Sequence, residues 1–252
     1  DTDVGKREVT VNKRKYKPMD FSSETFRRQP YFNPSMSLMM KAEQLGLDVW
    51  LDVLSIVTQA NYGNAILSVE PGVFDTDDII AIRKSCQNSD WPDIGRGLVL
   101  GTDHEAALLQ DNTLKFFQNS GSTDPLRQGS TGRLLNFDMF YSPRIPNNGE
   151  DLGGFACLPQ AALIATSPIA PAPGVRQQLL SYDLVIDPDT GIAFEYRYWG
   201  NPDLDEDREI IEVNYGYNKG NSAALKRITN GATTNSSSSS QSSSSSSSSS
   251  TS

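Results

Sequence analysis

The sequence predicts an α+β fold on three observations: a long helix with two apolar stripes between residues 33 and 62, short capped helices interleaved with buried strands over 74–166, and paired alternating strands from residue 179 onward. Strands and helices interleave without regular βαβ repetition, which makes α+β the class. With 252 residues the chain has ample length to bury a core.

Residues 7–21, REVTVNKRKYKPMDF, mix β-branched and long charged side chains in partial alternation, which predicts an exposed extended arm rather than a core strand. Pro18 lacks a backbone donor and confines the segment to an edge or a terminus. Asn33 is a good N-cap, Pro34 suits the first helical position and Gly63 supplies a stop, so one helix of about 40 Å is predicted between them. Met36, Met40, Leu47, Trp50, Leu51, Leu54 and Val57 form one apolar stripe on it, and Leu38, Ala42, Leu45, Val49, Val53 and Ile56 a second. Lys41, Gln44, Asp48, Asp52, Ser55 and Gln59 leave a polar stripe between the two, so the helix is expected to be buried on two sides.

Downstream, Asp75 or Thr76 caps a short helix over 75–85, RGLVL at 96–100 reads as a buried strand, and Thr102 with Glu105 forms a capping box for a helix over 102–109. A turn and a strand follow at 129–142, then a small apolar strand or helix at 155–166. After PIAPAPG come strands at 179–186 and 192–198 joined by DPDTG, and further strands at 209–217 and 224–228.

Charge narrows the function classes. The formal net charge of −9 argues against a protein whose main business is gripping nucleic acid, because phosphate binding relies on clustered Lys and Arg. Residues 1–30 nonetheless carry eight basic side chains against five acidic ones, so the acidic excess lies in the remainder. Such a basic arm docks on the acidic body of a neighbouring copy or on nucleic acid, or stays a solvated strand. Cys86 and Cys157 are the only cysteines and read as small, partly buried thiols. No apolar run approaches the roughly eighteen residues of a membrane span. The serine run over 236–252 has no apolar side chains to offset the entropy of ordering and is expected to be disordered. The chain begins at Asp1, which predicts that an upstream piece was removed, cleaved or left out.

Enzyme chemistry finds little support. Asp189-Thr190-Gly191 matches the tripeptide of aspartic peptidases, but no second such triplet supplies the partner aspartate, and DPDTG between two alternating strands has the residues of a hairpin turn with Gly191 free to take positive φ. His104, the only histidine, is expected as an exposed residue of a helix first turn. The acidic clusters at 75–78 and 203–207 lack the spacing of a calcium loop. Gly129-Ser130-Thr131-Gly132 precedes a strand rather than a helix, and Arg133 stands where a phosphate loop would carry lysine, so it reads as a turn.

The order of segments resembles the tailed-phage major capsid proteins of the Hong Kong 97 fold. GSTGRLLNFDMFYSPRIP (129–146) is similar to that family's G-x-x-G-R strand with its F-D-x-F-x-S continuation. Residues 7–21 resemble the returning strand of the extended E-loop, and 33–62 the spine helix of the peripheral P-domain. RGLVLGTDHEAALLQD (96–111) and FACLPQAALIAT (155–166) are similar to segments of the axial A-domain. SYDLVIDPDTGIAFEYRYWG and EVNYGYNKGNSAALKRI resemble the C-terminal strands. The resemblance divides the chain into a partial E-loop arm (1–30), the spine-helix segment (31–70), an A-domain (71–172), P-domain C-terminal strands (173–229) and a serine-rich tail (230–252). The family's N-terminal arm and outgoing E-loop strand have no counterpart in this chain.

What the resemblance implies is a structural protein of the virion, not an enzyme, without cofactor or membrane. It would assemble as hexamers and pentamers into an icosahedral shell around double-stranded DNA, with portal, scaffolding or decoration proteins as further partners. On that reading Lys13, Arg14, Lys15 and Lys17 lie on a neighbour's acidic face, with Asp203, Asp205, Glu206 and Asp207 as receptors and Arg133 as a contact at a capsomer centre. A Lys–Asn cross-link through Asn214 or Asn218 has no support in spacing. The alternatives are an encapsulin-type cellular shell, an aspartic peptidase using Asp189, and a basic-armed nucleic-acid-binding module.

Overall fold

The structure, a computed structural model, describes residues 7–28, 33–115, 132–187, 191–201 and 203–231. Its strands are β1 (Lys13–Ser22), β2 (Leu67–Val69), β3 (Arg96–Leu100), β4 (Arg133–Leu134), β5 (Phe137–Tyr141), β6 (Leu152–Cys157), β7 (Ala162–Thr166), β8 (Ser181–Ile186), β9 (Ala193–Asn201), β10 (Glu206–Lys219) and β11 (Leu225–Asn230). Its helices are α1 (Ser23–Arg28), α2 (Pro34–Leu54), α3 (Gln59–Tyr62), α4 (Thr76–Gln87), α5 (Thr102–Gln110), α6 (Asn112–Lys115) and α7 (Pro173–Arg176). Helices and strands mix without βαβ repetition, as the α+β reading requires.

Among the described residues the strands form two sheets. The first is antiparallel in the order β1-β10-β9-β8, with β7 paired to the far end of β10. The arm is therefore no free extension from Lys13 onward: β1 pairs along its whole length with β10, and its inward face ends in buried Met19 and Phe21. Pro18 sits in that edge strand, where a missing donor costs no ladder bond on the open side. Ahead of β1, a β-carbon at Gly216 would overlap the Thr10 carbonyl, so the bare glycine lets residues 10–11 lie directly on the β10 backbone.

The predicted long helix is broken. Asn33 caps α2 by accepting from the Ser35 amide (3.1 Å) and Pro34 opens it, but α2 stops at Leu54. The Ser55 hydroxyl turns back onto the Asp52 carbonyl (2.6 Å), and the Asn148 side-chain amide donates to the freed carbonyls of Leu54 (3.0 Å) and Val57 (2.9 Å). The Glu150 carboxylate then receives the Gln59 amide at the start of α3, and Gly63 closes that helix. Leu38, Ala42, Leu45, Val49 and Val53 pack with Ile211, Val213 and Tyr215 of β10. The other stripe is covered only toward its C-terminal end, where Leu54 and Val57 enter the second core, while Met36 and Met40 are 64% and 54% exposed.

The second sheet runs β2-β11-β6-β3-β5-β4. Leu98, Leu100, Phe137, Phe155 and Ile228 from its strands join Ile79, Ile82 and Cys86 of α4 and Leu108 of α5 in one apolar cluster. Asp75 caps α4 through a full capping box with Asp78. For α5 the cap is Gly101, not Thr102, and no side chain bonds the first-turn amides. His104 is not exposed: it is 2% accessible, set edge-on to Phe74 (5.2 Å between ring centres). The chain reverses at Leu135-Asn136, both with positive φ, and Gly132 ahead of Arg133 also takes positive φ, while Gly129 lies outside the described residues.

The two layers exchange strands. β7 joins the first sheet although it follows β6 of the second, and β11 returns from the first sheet's β10 to the second. The blocks 71–172 and 173–229 therefore do not coincide with the two sheets.

Candidate assembly surface

Strand alternation places Lys13, Lys15 and Lys17 on the β1 face that meets α2 and Arg14 on the opposite face. Each finds an acid in its own chain. Lys17 pairs with Asp48 (2.6 Å), Lys15 with Asp52 (3.0 Å) and Lys13 with Asp52 (3.7 Å), while Arg14 pairs with Glu212. Asp52 also accepts from the Tyr215 hydroxyl (2.6 Å). Burial alone pushes the Asp52 carboxyl up, but the Tyr215 hydroxyl, Lys15 and Lys13 outweigh it and hold the group below its ordinary value. The Tyr217 hydroxyl, as partner of the Lys13 ammonium (2.5 Å), raises the pKa of that lysine.

On the far face of the sheet, Glu195 and Glu212 stand directly opposite each other on β9 and β10, and both are buried. Arg197 bridges them, 2.9 Å from Glu195 and 2.5 Å from Glu212. The Ile169 amide donates to Glu195 (2.5 Å) and Arg197 donates to the Ile169 carbonyl (3.2 Å), so the proline-rich loop is strapped over the acidic pair. Asn214 donates to Glu195 (3.3 Å) and has Arg14 as its strand partner; Asn218 holds the Glu8 carbonyl (2.8 Å). These contacts make a structural clamp, with no lysine opposite Asn214.

The predicted acidic receptors lie at the β9–β10 hairpin. Asp203 and Asp205 are exposed at its tip, and Glu206 and Asp207 are half-buried opposite Ser22 and Phe21. The structure does not bring them to the lysines of β1, which lie opposite the middle of β10, from Ile211 to Tyr215. The side chain there that meets β1 is Arg208, in a two-pronged pair with Asp20; that pairing depresses the Asp20 pKa. Arg133 is exposed and 3.7 Å from Asp138. Asp189 lies outside the described residues; the flanking Gly191 has φ +70° and its amide bonds the Asp187 carbonyl (2.8 Å), a turn geometry. Among the described residues no cluster of three His, Cys, Asp or Glu is placed to hold a metal, and no helix is long and apolar enough to cross a membrane. Burial pushes the thiols of Cys86 and Cys157 up to about 11, so both are poor nucleophiles.

Residue-by-residue reading missed an apolar groove between the end of α2 and one face of the second sheet. It encloses about 600 Å³ and is walled by Trp50, Val53, Leu54, Val99, Phe140 and Phe155. Trp50 and Phe140 form its mouth, 39% and 58% exposed. The signal lay in FDMFY: Phe137 and Met139 point to the core, and the alternation leaves Phe140 on the other face.

No protein-family model and no curated protein matches the chain. Solved structures do. A chain of the capsid of Cyanophage P-SCSP1u superposes with a TM-score of 0.65 at 12% identity, over 88% of this chain and 73% of that one. A chain of the mature capsid of bacteriophage PhiM1 gives 0.58 at 10% identity, over 91% and 77%. The SrpI encapsulin of Synechococcus elongatus PCC 7942 gives 0.50 at 11% identity, over 88% and 74%. The chain therefore carries the phage capsid-protein fold that its ordered sequence motifs resemble.

Proposed function

We propose that this chain is the major capsid protein of a tailed phage, copies of which assemble as hexamers and pentamers into an icosahedral shell enclosing double-stranded DNA. The observation that carries the reading is the superposition, over nearly nine-tenths of the chain, on the Cyanophage P-SCSP1u capsid chain. In this reading α2 with the first sheet forms the peripheral domain, the second sheet the axial domain, and β1 the returning strand of an extended loop. The net charge supports a container: a wall with an overall acidic character does not grip the DNA it must pack and release. The role is structural, and neither a cofactor nor a membrane is part of it. Portal, scaffolding and decoration proteins are its further partners in the virion.

For the assembly contacts, Lys13, Arg14, Lys15 and Lys17 fix the β1 edge on their own acids, and the exposed Asp203, Asp205 and Arg133, with Glu206 and Asp207 behind the tip, meet neighbouring copies. Electron microscopy of the purified protein tests the reading. Closed shells or capsomers are expected, and a chain that stays monomeric under all assembly conditions overturns it. The encapsulin reading has one superposition in its favour. Particles that hold protein cargo and little nucleic acid would favour it over the phage shell.

A further inference from the structure

We propose that the apolar groove between α2 and the second sheet is a docking site for a second copy of this chain, and that what enters it is that copy's β8 edge. The inference rests on the shell reading above and names one of its interfaces.

The groove is too apolar to be a finished surface. Its walls are mostly carbon, and its mouth presents Trp50 and Phe140 to water. Farther up α2, past the exposed Glu43 and half-buried Leu47, Met40, Met39 and Met36 are uncovered as well. Together the five side chains expose on the order of 500 Å² of mostly apolar surface in two patches. One side of a standard protein interface buries about 800 Å², so an occupant that covers both patches gains the larger part of such a contact.

The occupant is argued from the rest of the chain. β8 ends the first sheet and has no strand on its outer side among the described residues. Leu184, Val185 and Ile186 are 44%, 57% and 58% exposed, and among the described residues they form the one run of three consecutive exposed large apolar side chains. None of them lines the groove. An edge strand exposing apolar side chains is a template for another chain unless it is covered. On β8 the Leu184 and Ile186 side chains share a face, and Asp183 lies on the other, so an uncharged face is available to enter an uncharged groove. One copy thus carries both halves of the contact at separate places. That makes the contact heterologous, head to tail, which propagates around a ring, whereas groove on groove would close at a dimer.

The test uses the full chain. Ile186→Cys is introduced together with Phe140→Cys at the exposed mouth of the groove, with Cys157→Ser; Cys86 is fully buried and out of reach. Oxidation with diamide, which takes the two electrons and two protons from the thiol pair, is expected to give a ladder of disulfide-linked oligomers that is absent when Phe140 is kept. In parallel, the double variant Leu184→Lys with Ile186→Lys changes only exposed side chains. It is expected to melt like the parent while its threshold concentration for assembly rises about tenfold or more. Normal assembly of the lysine variant together with no ladder overturns the proposal and leaves the shell reading standing. A parent chain that never assembles overturns both.

Discussion

Where α2 lies on the first sheet, the contact is part apolar and part ionic: Leu45 and Val49 meet Ile211, Val213 and Tyr215, and beside them Lys13, Lys15 and Lys17 reach Asp48 and Asp52. In the second layer, Ile79, Ile82, Cys86 and Leu108 join Leu98, Leu100 and Phe137 in a larger apolar cluster. The difference separates two kinds of stability. The second layer is set mainly by packing and responds to volume; the first is set partly by charge and responds to salt.

Phe137→Ala tests the packed layer and carries the largest expected effect. Phe137 is fully buried, so its removal should cost about 3 to 5 kcal/mol in denaturant titration, with little dependence on salt. A cost near zero would mean the second layer is not a packed core. Arg197→Met comes next, in the first layer. It leaves Glu195 and Glu212 buried and directly opposed, which should cost about 3 kcal/mol at neutral pH. Hydrogen exchange around Ile169 should rise as the Arg197 bond to the Ile169 carbonyl is lost.

How much of this was legible follows the range of the interactions. Asn33-Pro34, the Asp75 capping box and the DPDTG turn act within a few residues, and each puts its element where the sequence predicts it. The break after Leu54 was not legible, because the donor that satisfies its carbonyls is Asn148, far along the chain. Nor was the sorting of β7 and β11 between sheets, which long-range pairing decides. Asp48 and Asp52 were visible as part of a polar stripe on α2, and Lys13, Arg14, Lys15 and Lys17 as a basic cluster on the arm. That the two face each other depends on β1 pairing with β10, and local patterning carries no information about it. His104 read as exposed because a first-turn histidine is polar; Phe74, thirty positions earlier, is what covers it.

Asp52→Asn sharpens the ionic side of the comparison. Removing the charge shared by Lys13, Lys15 and the Tyr215 hydroxyl should cost about 1 to 2 kcal/mol at low salt and less at high salt. The Asp52 pKa is held below its ordinary value of 3.8, so its contribution is present above that pH and is lost as the pH falls through the lower folded value. The variant should therefore flatten the acid limb of the stability curve below about pH 4. A salt-independent loss would mean the aspartate acts by packing and not by charge.

The smallest expected effect sits in the packed layer and begins at milder pH. Burial lowers the His104 pKa below its ordinary 6.5, against an opposing pull from Asp103, so the folded state favours the neutral ring. The sign follows from the unfolded chain, which takes up the proton first: stability is whole above about pH 6.5 and declines as the pH falls from there toward the folded value. Acid should thus touch the two layers in sequence, the His104 region between pH 6.5 and its folded pKa and the Asp52 region only below about 4. Hydrogen exchange followed by element resolves the order: amides of α5 and β6 should loosen before those of β1 and β10. His104→Leu keeps an apolar contact with Phe74 and removes the proton-binding ring, so it should abolish the early stage and leave the late one. Simultaneous loosening of both layers in the parent chain would show that they do not respond to acid independently.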